Sequence, residues 1–221
     1  MAIDPILIGL GLAFLLSRKG KQSGDGSGAH LRESISSPSE FVNRATQARA
    51  MAWSPYFIDV GEIPSVADAL SRWSGIESGG DPLAISVLNE RGLLQVGPQT
   101  MSEGGISQAD WDALTNPDTL PNTQAVIASH YWRWLLTRAA THLPSLPPDN
   151  DPAGQVWFAY QYHQRPKDFT QWGQLPSNAA QASAYLMARG HLNNDAELIK
   201  RVTASNVVAW GLPDSPISPM V

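Results

Sequence analysis

Between Pro64 and Ser78 the apolar side chains Val66, Ala69, Leu70, Trp73 and Ile76 recur at the spacing of one helix face, and Gly79-Gly80 ends the run. A stripe of this kind has to be buried against other helices. Ser65 is expected to cap this helix and Asp68 to favour its first turn. Helical runs are also predicted over Ser39–Ala52, Asn122–Leu143, Ala153–Tyr162, Asn178–Arg189 (stopped by Gly190) and Asp195–Trp210, with a short helical turn at Asp110–Leu114. Trp53–Gly61 reads as a packed connection and Pro144–Pro152 as a proline-rich loop. No series of alternating apolar and polar residues signals strands, and no internal repeat is visible. The expected class is mainly α.

The chain has 221 residues, 43% of them hydrophobic, enough for one core with tails. Its net charge of -5 argues against nucleic acid as a partner, because phosphate binding needs clustered Lys and Arg. There is no cysteine, so disulfides and cysteine-based zinc sites are excluded. No pair among the five histidines has the spacing of a helical metal motif, and neither metal nor cofactor is expected. Most of the eight tryptophans are expected in the core, with a few lining a sugar-binding groove.

Residues 1–20 form an apolar N-terminal segment, Pro5 to Leu16 being almost wholly apolar, with a basic flank at Arg18, Lys19 and Lys21. A cleavable export signal carries its positive charge before the apolar run, whereas here only Asp4 precedes it. The run is also shorter than the ~20 residues that span a bilayer. A short membrane anchor, a helix packed inside an assembly and a poorly formed export signal all remain open. Residues 21–38 read as a Gly/Ser-rich linker, residues 39–210 as the folded domain and residues 211–221 as a Pro-rich tail.

Glu77 lies on the apolar stripe, four residues after Trp73 and at the C-terminal end of its predicted helix. Lost hydration and the nearby helix carbonyls both disfavour its charged form. A protonated Glu so placed is a general acid, able to donate to a glycosidic oxygen. A structural carboxylate paired with an Arg or a backbone cap is the alternative on periodicity alone.

The neighbours of Glu77 carry a family pattern. Glu77, Ser78, Pro82, Ala84 and Ser86 match E-S-x-x-x-P-x-A-x-S, and Gly92, Leu93, Gln95, Pro98 and Thr100 match G-L-M-Q-[hydrophobic]-x-P-x-T, with Leu94 in place of Met. In this the chain, over about Pro64 to Arg189, resembles the SLT-type lytic transglycosylases. The resemblance implies a goose-lysozyme-like helical fold and cleavage of the β-1,4 bond between N-acetylmuramic acid and N-acetylglucosamine in peptidoglycan, leaving a 1,6-anhydromuramoyl end. One glutamate, here Glu77, then acts as acid and as base, so that no second carboxylate is needed, unlike in ordinary glycosidases. The resemblance makes Ser86 and Gln95 the polar groups beside the acid.

The third family motif, A-Y-N-A-G, has its counterpart in Ala159-Tyr160-Gln161-Tyr162-His163. Tyr160 and Gln161 are the implied substrate-facing pair, with Gln replacing Asn and with Tyr162-His163 replacing the small Ala-Gly pair. His163 itself reads as a surface or core histidine, with a ligand-facing place as the alternative. A late family tyrosine corresponds to Tyr185, without the Glu-Thr pair that usually precedes it.

The resulting expectation is a peptidoglycan lytic transglycosylase whose partners are glycan strands, with membrane or virion-protein contact through residues 1–20. A phage particle acting on the host wall during genome delivery is the expected setting, and a bacterial membrane-anchored enzyme facing the periplasm is the alternative. Two other functions stay open: a structural assembly protein that keeps the fold without activity, and a hydrolase of lysozyme type.

Overall fold

In a computed structural model the described residues are 44–164 and 175–211. They are mainly helical: α1 (Arg44–Met51), α2 (Ser54–Asp59), α3 (Pro64–Ser78), α4 (Pro98–Glu103), α5 (Gln108–Ala113), a 3-10 turn at Pro117–Thr119, α6 (Asn122–Ala140), α7 (Pro152–Gln164), α8 (Ala179–Leu192) and α9 (Ala196–Trp210). Extended pairing among the described residues is limited to two isolated bridges, Ile85 with Arg91 and Arg91 with Val96. The apolar segment, the linker and the tail beyond Gly211 lie outside the described residues, as does Ser39 to Asn43 of the first predicted helix. No helix among the described residues is long and apolar enough to cross a membrane.

Helix α7 is the axis of the fold. Its Val156, Ala159 and Tyr160 join a core with Leu70, Trp73, Leu93, Leu94, Tyr131 and Leu135, drawn from α3, α6 and the loop before α4. On another face Trp157 and Phe158 pack with Ala182, Leu186 and Val202 of α8 and α9. Asn206 ties this side together, its Oδ1 accepting from Trp157 Nε1 at 2.9 Å and from Ser183 Oγ at 2.8 Å. Arg72 of α3 donates to the C-terminal carbonyls of α9, Nε to Val208 at 2.8 Å and an Nη to Ala209 at 2.9 Å. A cation suits the negative end of a helix dipole, so this contact both caps α9 and docks it on α3.

Five local expectations change. Ser65 does not cap α3: Ile63 holds the cap position, and Pro64 opens the helix without an N–H that needs a partner. Asp68 instead accepts from Ser54 Oγ at 2.7 Å. Trp53–Gly61 contains a helix of its own, α2, with Pro55 in its first turn and Phe57 buried. Gly190 lies inside α8 and does not end it; an ideal Cβ there would stand 2.7 Å from Ile199 Cγ1, so the glycine permits the close approach of α9. Helix α7 runs two residues past Tyr162, and those two residues matter below.

Candidate active site

Glu77 occupies the last turn of α3, and the chain leaves that helix through two left-handed glycines, Gly79 (φ 65°) and Gly80 (φ 73°). An ideal Cβ on Gly80 would come within 2.9 Å of the Ala50 nitrogen, so only glycine lets α1 press on this corner. Two donors from that side hold it: Arg49 Nε bonds to the Gly79 carbonyl, and Trp53 Nε1 bonds to the Gly80 carbonyl at 3.1 Å. They satisfy carbonyls at the helix end that otherwise lack partners.

Beyond the corner the loop folds on itself. Asp81 Oδ1 accepts from the Leu83 nitrogen at 2.9 Å, and Ser86 Oγ accepts from the nitrogens of Leu88 and Glu90, each at 3.1 Å. Gln95, with φ 53°, sits in the left-handed region, and its Nε2 donates to the Gly92 carbonyl at 2.8 Å and the Ala84 carbonyl at 3.2 Å. Its Oε1 is buried without a hydrogen-bond partner. Gln124 of α6 anchors the same loop: its Oε1 accepts from the Leu93 nitrogen at 3.0 Å, and its Nε2 donates to the carbonyls of Pro82 (2.9 Å) and Leu114. This is how the loop that follows Glu77 is fixed to the helix behind it.

Helix α7 supplies the donors to Glu77. Tyr160 Oη donates to Glu77 Oε1 at 3.0 Å, and Gln164 Nε2 donates to the same oxygen at 2.9 Å. The two are one helical turn apart on one face. His163 Nε2 lies 3.8 Å from that oxygen, and the Glu77 side chain keeps 14% of its surface exposed. Trp73, one turn before Glu77, packs edge-on against Tyr160 with centroids 4.9 Å apart. Burial pushes the His163 imidazole below its ordinary value, with the Glu77 carboxylate pulling partly the other way. Its neutral form is therefore favoured at pH 7. Burial pushes the Tyr131 phenol up, a hydrogen bond from Thr100 opposes this, and the charges of Glu90 and Glu77 add to it.

Of the five residues predicted to assist Glu77, Tyr160 reaches it. Ser86 and Gln95 hold the loop by the bonds given above, and neither hydrogen-bonds to Glu77. Gln161 is buried with its Nε2 unpartnered, one residue out of phase with the face that meets Glu77. Tyr185 is exposed on α8, which packs on α7 and α9. Gln164, Gln124 and Tyr131 stand outside the motif positions. The four-residue step from Tyr160 to Gln164 was the available signal for the first. No group of three or more His, Cys, Asp or Glu among the described residues is arranged to hold a metal ion. No family model matches the chain, and no characterised protein or solved structure matches it.

Proposed function

We propose that this protein is a peptidoglycan lytic transglycosylase with a goose-lysozyme-like fold, in which Glu77 is the single general acid and base. One observation carries the reading. Glu77 is held by the neutral donors Tyr160 and Gln164, and no Lys or Arg among the described residues pairs with it. Neutral donors orient the group without placing a counter-charge beside it. The ten motif positions around it, from Glu77 to Thr100, add the family resemblance.

In the proposed reaction Glu77 gives its proton to the glycosidic oxygen as the bond from that oxygen to the muramoyl C1 breaks. The resulting carboxylate takes the proton of the muramoyl C6 hydroxyl, whose oxygen bonds to C1. The product is a 1,6-anhydro ring, and Glu77 returns to its acid form. No water and no second carboxylate take part. The apolar segment 1–20 would tether the domain to a phage particle or a membrane, and local opening of the wall is the proposed setting.

The test is digestion of purified peptidoglycan with mass analysis of the fragments, comparing the natural chain with Glu77→Gln. Anhydromuramoyl ends that vanish in the variant are expected. Reducing ends would instead indicate hydrolysis, and no fragments from folded protein would support the assembly role without catalysis.

A further inference from the structure

Three helices meet in a polar chain that the motif comparison does not account for. Tyr131 Oη of α6 lies 3.0 Å from His163 Nδ1 of α7, and His163 Nε2 lies 3.8 Å from Glu77 Oε1 of α3. The imidazole has little room to turn. Trp73 stands 5.4 Å from it, Tyr131 5.9 Å away and edge-on, and Tyr160 6.0 Å away, centroid to centroid.

The tautomer follows from electrostatics. If Nδ1 carried the hydrogen, the Nε2 lone pair would face a carboxylate oxygen. If Tyr131 donates to Nδ1, the hydrogen sits on Nε2 and faces that oxygen favourably. Tyr131 is buried and keeps its phenolic hydrogen, so it can donate.

We infer that His163 is a positioning residue for Glu77: Tyr131 fixes its tautomer, and its Nε2–H, 3.8 Å from Oε1, attracts that oxygen electrostatically so that Oε2 is the oxygen presented to substrate. The inference rests on the reading of Glu77 as the acid. It has a consequence for acidity dependence. Among the described residues the titratable groups facing His163 are Glu77 from α3, Tyr131 from α6 and Tyr160 from its own helix, while Glu90 acts on Tyr131. Protonating the imidazole removes the acceptor for Tyr131 and places a cation beside Oε1. That cation favours ionised Glu77, the form that cannot donate. Activity therefore falls on the acid side as His163 gains its proton.

Three variants and one spectrum test this. His163→Ala is expected to cut the turnover number for anhydromuramoyl release about 10- to 100-fold, the scale of a misplaced catalytic group, with KM little changed. His163→Gln, which keeps an amide donor and cannot titrate, is expected to recover most of that loss and to abolish the acid-side fall. Tyr131→Phe is expected to lower turnover in the same direction as His163→Ala. Unchanged rates and an unchanged acid limb in both His163 variants would overturn the inference while leaving Glu77 as the acid.

Ring-nitrogen NMR of His163 needs no activity. Its Nε2–H tautomer is expected at neutral pH, and its titration midpoint should drop in Glu77→Gln, which removes the carboxylate charge. The opposite tautomer, or an unmoved midpoint, would overturn the inference. A coupled His163 in a wild-type protein that releases no fragments would instead sink the transglycosylase reading.

Discussion

Gln124 and Gly92 make the most demanding test of how the loop after Glu77 is held. Gln124 is almost fully buried, and its side-chain amide meets three backbone groups: the Leu93 nitrogen and the carbonyls of Pro82 and Leu114. Gln124→Ala strands a buried N–H, at about 1–3 kcal/mol, and leaves two carbonyls short of a donor at about 1 kcal/mol each, or roughly 4 kcal/mol in all. Gly92 (φ 74°) is constrained by the same side chain, since an ideal Cβ there would stand 2.6 Å from Gln124 Oε1. Gly92→Ala costs about 1–2 kcal/mol for the left-handed backbone and about 1–2 kcal/mol more for displacing the amide, roughly 3 kcal/mol. Additive effects would give about 7 kcal/mol. In the double variant the clash with Gln124 no longer exists and the 3.1 Å approach to Leu114 Cδ2 remains, so about 5.5 kcal/mol is expected, with a coupling of about 1.5 kcal/mol. Urea unfolding followed by tryptophan fluorescence measures each corner of the cycle. Additive costs within about 0.5 kcal/mol would refute the claim that one side chain both anchors the loop and dictates the glycine.

Other expectations are simpler. Tyr160→Phe removes the 3.0 Å bond to Glu77 and is expected to slow fragment release about 10- to 150-fold, the value of a hydrogen bond to a charged group, in a protein whose circular dichroism shows it still folded. Arg72→Ala should destabilise by about 2 kcal/mol in chemical denaturation, because two carbonyls at the end of α9 lose their donor. Gly190→Ala, which pushes a methyl onto Ile199, should cost about 1–3 kcal/mol in the same assay. His163 is held below its ordinary value, so the unfolded chain binds its proton first as pH falls; stability contributed at this site is present above about pH 6.5 and is lost as pH drops below it. His163→Gln should flatten that part of a stability-against-pH curve.

The helices that were legible in the sequence are those with one apolar stripe. Helix α3 shows its face through Leu70 and Trp73, and its end through Gly79, because burial on one side and a left-handed stop both leave marks in the residue order. The short α2 left no such mark: it spans too few residues to show a period, and its proline reads as a break. Gly190 looks like a stop in sequence, yet its role depends on Ile199 from another helix, a contact that no local pattern encodes. Helix α7 is the hardest case. Its run from Val156 to Gln161 is buried on every side, so periodicity names no face and cannot say which of its polar residues looks toward Glu77.

That ambiguity explains the site. By motif position the amide falls at Gln161, next to Tyr160, and successive helical residues point about 100° apart. An amide that shares an oxygen with Tyr160 has to come from the same face, and Gln164, four residues on, meets that condition at 2.9 Å. The donor is thus set by helix phase, whereas the match in sequence is set by adjacency. The same phase puts both donors on Oε1 and none among the described residues on Oε2. An oxygen that already accepts two hydrogen bonds is the poorer place for a proton, so the acid form of Glu77 carries its hydrogen on Oε2. If Glu77 is the acid, it is Oε2 that has to face the bond to be cleaved.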